Sequence, residues 1–216
     1  MNDLADRRHE EKERRRAEIL DATEAVAASE GWEAMTMDQV ARRARLSRAL
    51  LYVYFTDKTD LMFGVGERAM AMLMQRFSEG AARHKRGIDQ LEAIGRAYVA
   101  FSQEFPMYFG VLARCELRSP ENPNPDTNEG ECARKGNSLQ TVMVSALETG
   151  MRDGSIRADA GQPAAAAIVL WGFLHGVIQH SASKANLLGH RGVSIRQVLD
   201  QAILMTRRSV AALAPS

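Results

Sequence analysis

Over residues 14–30 the apolar positions Ile19, Ala22 and Val26 recur at helical spacing, with Leu20 and Ala27 widening the stripe. Gly31 suits the C′ position of that helix, since it takes the left-handed conformation without a Cβ penalty. Thr36-Met37-Asp38-Gln39 reads as a capping box opening a short helix to about Ala44. That helix turns Met37, Val40 and Ala41 to one side, and Arg42 and Arg43 towards solvent. After a turn at Arg45-Leu46, Ser47 can cap a third helix through about Tyr54. The run Leu50-Leu51-Tyr52-Val53-Tyr54-Phe55 is apolar enough to suggest a strand, but strict alternation fails. Helical spacing sets Leu51 with Phe55 on one face and Arg48, Ala49, Tyr52 and Val53 on another. A longer helix followed by two short ones across a tight turn is a tri-helical helix-turn-helix unit.

Asp57 can cap a fourth helix from Lys58, carrying Leu61, Val65, Met72 and Phe77, with Gly80 and Gly87 marking its fraying end. Further helices are predicted over residues 88–104, 107–117 (opened by Pro106), 133–152, 163–183 and 194–213. The segment SPENPNPDTNEGE, with three prolines, reads as a mobile surface loop. Nothing reads as a strand, and no long repeat is present. The expected fold is all-α. An N-terminal arm and tri-helical helix-turn-helix domain would span residues 1–60, and a larger C-terminal helical domain residues 61–216.

Composition adds exclusions. The charge balance is 28 basic against 27 acidic residues, and the first sixty residues hold 11 Lys/Arg against 13 Asp/Glu. No global field advertises a nucleic-acid partner, so a case for DNA rests on local placement. Cys115 and Cys132 are the only cysteines and lack CxxC spacing, which fits a reducing compartment. The polar N-terminus has no apolar core of a secretory signal, and the longest apolar stretch, residues 164–177, is short for a membrane span. A cytoplasmic chain without a membrane role is expected. GxSxG, P-loop, Rossmann and HExxH motifs are absent, so an enzyme is not expected. His175 and His180, five apart, are poorly placed as a metal pair on a helix, and neither metal nor cofactor is expected.

The register from Ile19 to Leu61 resembles the DNA-binding domain of the TetR family of transcriptional regulators. The matching elements are Ile19-Leu20-Asp21-Ala22, Gly31-Trp32, Thr36-Met37, Val40-Ala41-Arg42-Arg43-Ala44, Leu46-Ser47-Arg48, Leu51-Tyr52, Tyr54-Phe55, Lys58 and Leu61. The resemblance implies DNA contacts at Thr36, Ser47, Arg48, Ala49, Tyr52, Tyr54 and Lys58. A recognition helix in the major groove meets a distinct donor, acceptor and methyl pattern at each base pair. Two departures stand out. Arg45 occupies a turn position where the family usually has glycine, so the turn there must accept a non-glycine residue or carry strain. Leu50 and Val53 replace more usual polar residues, which suggests apolar readout of thymine methyl groups. Arg14-Arg15-Arg16 reads either as a solvated helix face or as an arm near the minor groove.

The resemblance further implies a homodimer on a double-stranded, palindromic operator, a small-molecule effector of unknown identity, and most often repression. Residues 164–178 are apolar nearly all round, as in a helix buried on two sides, and Gly172 and Gly176 would permit close approach of a partner helix. The alternative is the core helix of a monomer. Candidate effector-pocket residues are Tyr98, Phe101, Phe105, Met107, Phe109, Trp171 and His175, with Arg114 as a charged neighbour that could instead pair with Glu116. The competing function is a helical interaction protein whose helix-turn-helix no longer binds DNA.

Overall fold

The structure, a computed structural model, describes residues 3–118 and 122–212. Residues 119–121 of the Pro-rich segment and Leu213, the expected end of the last helix, lie outside the described residues. The helices among the described residues run α1 (Asp3–Glu30), α2 (Met37–Arg43), α3 (Arg48–Tyr54), α4 (Lys58–Ala82), α5 (Gly87–Glu104), α6 (Pro106–Arg118), α7 (Asn128–Asp153), α8 (Pro163–Ser183), α9 (Ala185–His190) and α10 (Ile195–Val210). No strand occurs among these residues. One isolated antiparallel bridge joins Ile156 to Ala211.

Several boundaries differ from expectation for identifiable reasons. Helix α1 begins eleven residues before the predicted start, where no apolar stripe exists to signal it. Charge pairs tie the extension to the predicted helix, Arg14 reaching back to Glu11 at 2.6 Å and on to Glu18 at 2.7 Å, with Arg15 on Glu18 at 2.8 Å. Gly31 ends α1 at φ 80°, the left-handed value its position requires. Gly87 does not mark the end of α4 but opens α5, where it lies against Gly150 too closely for any Cβ. Helix α7 starts at Asn128, five residues earlier than predicted, because Thr127 Oγ1 accepts the Gly130 amide and caps it. The short α9 has no apolar periodicity that would predict it.

The chain folds as two compact units. The first comprises residues up to Ala69 together with Met107–Arg134, and the second Met70–Pro106 with Lys135 onwards. The sequence-based boundary at residue 60 instead falls two residues inside the continuous α4. What the pattern does not reveal is that α6 and the first turns of α7 pack with the N-terminal helices.

In the first unit, Ile19, Leu20, Val40, Leu51, Phe55, Leu61 and Val65 are buried. Helix α6 adds Val111, Leu112 and Cys115 to this core, and the Cys115 thiol donates to the Met62 carbonyl at 3.8 Å. Its polar side is also fastened: Arg114 bonds Glu33 at 2.9 Å and Arg118 bonds Thr59 at 3.4 Å. Arg114 thus has Glu33 as a partner, eighty-one residues away along the chain. Hydrogen bonding with Cys132 and burial push the Cys115 thiol well above its ordinary pKa, so Cys115 offers no ready thiolate.

In the second unit, α5, α8 and α10 pack around Ile94, Tyr98, Phe101, Leu170, Leu174, Leu199 and Ile203. Arg207 of α10 pins α5 through Asp89 and Glu92 at 2.8 and 2.7 Å. A second capping box, Ser194 with Gln197, opens α10. Helix α8 is long and apolar enough to cross a membrane, but α5 and α10 already occupy one of its sides.

Candidate nucleic-acid interface

The geometry of the helix-turn-helix follows from its caps. Thr36 Oγ1 accepts the Gln39 amide, and the Gln39 side chain returns to the Thr36 amide at 2.8 Å, which completes the capping box. Helix α2 then ends in a Schellman arrangement: the Leu46 amide bonds Ala41 O at 2.9 Å and the Arg45 amide bonds Arg42 O at 3.2 Å. The residue between these two closures must be left-handed, and it is Arg45, at φ 56°. It is the single non-glycine residue with positive φ among the described residues. The departure noted in the sequence is therefore a real backbone demand, met without glycine. Ser47 then caps α3 by accepting the Leu50 amide at 3.2 Å.

Helix α3 has two faces, divided as its spacing predicts. Leu51 and Phe55 are fully buried. Arg48, Ala49, Leu50, Tyr52 and Val53 are exposed, Val53 at 77%, and Tyr54 is half-buried. An exposed Leu-Tyr-Val cluster beside a cation is costly to leave in water and suits a surface that meets base edges and methyl groups. Arg48 is already oriented, with Nε 3.0 Å from Asp38 Oδ1 of α2 and its guanidinium 5.8 Å from the Tyr52 ring centroid. Contact with Tyr52 and the Asp38 charge hold its pKa above the ordinary value, so it stays cationic. Lys58 donates to the Glu33 carbonyl at 2.8 Å, which leaves its remaining ammonium donors for a phosphate. Asp38 and Glu33, the partners of these two cations, carry no periodic signal by which the sequence could single them out.

The N-terminal arginines separate in role. Arg14 and Arg15 pair with glutamates of their own helix, whereas Arg16 turns inwards to Glu67 at 2.6 Å.

The candidate effector residues divide between the units. Tyr98, Trp171 and His175 come together in the second: the Tyr98 hydroxyl lies 2.6 Å from His175 Nδ1, and Trp171 stacks on Tyr98 at 4.3 Å between centroids. Phe101 touches Phe105 at 5.5 Å, and Phe105 carries the Arg76 guanidinium at 5.0 Å. Phe105 also lines a groove of about 900 Å³ with Met72, Ala93, Ala97 and Ala100. Met107, Phe109 and Arg114 belong to the first unit.

Helix α8 exposes Ile168 at 64% and Val169 at 67%, beside Gly172, Phe173 and Gly176. Leu204 and Met205 of α10 are exposed too. No atom lies within 4 Å of where a Cβ would stand on Gly172 or Gly176, so their outer surface is open. No group of three metal-ligating side chains occurs among the described residues.

Comparison with known proteins gives two family matches. Residues 19–65 match the model of bacterial regulatory proteins of the tetR family, and residues 91–205, more than half of the chain, match the tetracyclin repressor-like C-terminal domain. The repressor KstR of Rhodococcus jostii is 41% identical over 104 residues, 48% of each chain. The transcriptional regulator HbdR of an Aromatoleum species is 39% identical over 51 residues, 24% of this chain and 22% of that one. The chain thus spans about half, or less, of the length of these curated relatives. Among solved structures, FadR of Bacillus subtilis in complex with stearoyl-CoA superposes with a TM-score of 0.67 at 14% identity, covering 89% of this chain and 98% of that one. SmeT, repressor of a Stenotrophomonas maltophilia multidrug efflux pump, gives 0.62 at 19% identity over 93% and 94%. At such identities these superpositions establish the fold.

Proposed function

Since the chain belongs to the TetR family of bacterial regulatory proteins, we propose that it is a ligand-responsive transcriptional repressor that binds a palindromic operator as a homodimer. The observation that carries this reading is the exposed face of α3, where Arg48, Ala49, Leu50, Tyr52 and Val53 stand outward while Leu51 and Phe55 anchor the helix. In the major groove, Arg48 and Tyr52 serve as polar contacts, and Leu50 and Val53 lie against thymine methyl groups. Thr36, Arg45, Ser47, Tyr54 and Lys58 are the phosphate-side contacts.

The exposed apolar face of α8, with Leu204 and Met205 of α10, is the surface on which a second copy docks. A two-fold axis there would present two recognition helices to half-sites roughly 34 Å apart. A small molecule taken up in the second unit, with Tyr98, Trp171 and His175 as its candidate contacts, releases DNA by favouring a conformation the operator does not. A fatty-acyl or similar apolar ligand is consistent with the stearoyl-CoA bound by FadR and with the adaptable side chains of Met70 and Met143 buried in the second unit. The chain acts in the cytoplasm and catalyses no reaction.

Selection of bound duplexes from fragmented genomic DNA of the source organism tests the reading. Enrichment of one palindromic sequence near a few promoters supports it. Recovery of unrelated fragments in proportion to their abundance refutes it, and favours an interaction protein that has lost DNA binding.

A further inference from the structure

The first residue of α7 is bonded into the corner that aims the recognition helix, although it lies seventy-three residues beyond that corner in the chain. Asn128 Oδ1 accepts Arg16 Nη2 at 2.6 Å, and Asn128 Nδ2 donates to Asp60 Oδ1 at 2.7 Å. The other Asp60 oxygen accepts the Thr56 amide at 2.9 Å and its hydroxyl at 3.4 Å. The Asp60 amide in turn donates to Asp57 Oδ1 at 2.8 Å. Thr56, in the link from α3 to α4, is therefore held by the Asp60 carboxylate, which Asn128 in turn bonds, while Asp57 caps the start of α4 with its own carboxylate.

The second arm of the network reaches the same corner through α1. The Arg16 guanidinium, shared between Glu67 and Asn128, lies 5.7 Å from the ring centroid of Phe55, the residue that terminates α3. Asn128 itself has little freedom. Thr127 caps the helix through Gly130, the Thr127 hydroxyl donates to Asn124 O at 2.7 Å, and Asn124 Oδ1 accepts the Asp126 amide at 3.0 Å. The side chain is thus presented from a pinned helix start, with one acceptor and one donor both satisfied. An amide carries its acceptor and its donors side by side, which suits this pair of partners.

Resting on the regulator reading above, we propose that Asn128 is a positioning residue for operator recognition, acting through Asp60 and Arg16 on the α3–α4 corner without touching DNA. An error of orientation at that corner rotates every contact on α3 relative to the bases, so it lowers affinity for the selected operator more than for arbitrary DNA.

A reciprocal exchange tests this. Asn128→Asp places two carboxylates face to face, and Asp60→Asn places two amide donors face to face. The double variant Asn128→Asp with Asp60→Asn restores the bond with its polarity reversed. In it the side-chain oxygen of the new amide at position 60 still accepts the Thr56 amide, and the new carboxylate at position 128 still accepts Arg16. Fluorescence-anisotropy titrations on the selected operator and on a scrambled duplex would give the active fraction and Kd of each variant.

Each single variant is expected to weaken operator binding by about tenfold at unchanged active fraction, with little change on the scrambled duplex. The double variant is expected within about threefold of wild type. Asn128→Ala, which removes both bonds without adding charge, covers the case in which a single variant fails to fold, and should lose operator affinity likewise. Operator affinity equal to wild type in the single variants, a double variant no better than the weaker single one, or equal losses on both duplexes overturns the proposal. A wild-type protein that selects no operator refutes the regulator reading itself. A wild type that binds, with Asn128 and Asp60 variants indifferent, refutes only this inference.

Discussion

Arg45 offers a clean separation of backbone from side chain. It holds φ 56° between the two closing bonds of the α2 cap, from Leu46 to Ala41 O and from Arg45 to Arg42 O. A left-handed conformation costs an L-residue roughly 1–2 kcal/mol. Glycine escapes that cost but loses more chain entropy on folding, roughly 0.4–1 kcal/mol. The difference leaves Arg45→Gly stabilising by about 1 kcal/mol, or roughly 2–4 °C in Tm for a chain of this size. Arg45→Ala keeps the strain and removes only the guanidinium, so its Tm should match wild type. If Arg45 meets a phosphate, both variants weaken operator binding alike, and each lowers the slope of log affinity against log salt by about 0.9 per protomer, about 1.8 for the dimer. Thermal melts with a salt series of operator titrations read both quantities. Equal stabilisation by Ala and Gly would refute the left-handed strain, and an unchanged salt slope would remove Arg45 from the interface.

Leu51→Ala should cost about 2–5 kcal/mol, since that side chain is wholly buried, whereas Arg48→Ala should leave Tm nearly unchanged and weaken operator binding. Melting curves and gel shifts of the two variants that looked alike would show the faces of α3 wrongly divided. Burial raises the Glu92 pKa, but hydrogen bonds from Arg96 and Arg207 outweigh this and hold it below the ordinary value. The contribution of Glu92 to stability is therefore present above the ordinary carboxylate range and is lost as pH falls through the lowered folded-state pKa. Melts from about pH 6 to pH 3 should show a shallower loss of stability in Glu92→Gln than in wild type, and parallel curves would contradict the linkage. On the exposed face of α8, Val169→Glu should convert a dimer to a monomer in sedimentation while preserving helicity; an unchanged sedimentation coefficient would place the dimer surface elsewhere.

The parts of this molecule that local rules govern are legible in the sequence. The capping box at Thr36, the Ser47 cap, the opposite faces of α3 and the bounds of α8 each depend on residues within one or two turns of each other. The left-handed demand at Arg45 is visible as an anomaly against the family pattern. What is illegible involves long-range partners. Arg114 finds Glu33 across eighty-one residues, Lys58 finds the Glu33 carbonyl across twenty-five, and Arg16 finds Asn128 across one hundred and twelve. No period in the chain encodes such pairings. The early start of α1 escapes the apolar pattern for a different reason, since its first turns carry no apolar stripe and only charge pairs from Glu11 to Glu18 mark where the extension meets the predicted helix.

The central claim is that α3 reads a DNA sequence. Its most direct test is a titration of the wild-type protein with the selected operator and a scrambled duplex of equal length, repeated across a salt series. Two protomers per operator, affinity at least about a thousandfold above the scrambled duplex, and a steep loss with salt are the predicted result. Equal affinity for both duplexes, or no binding even at low salt, would contradict it.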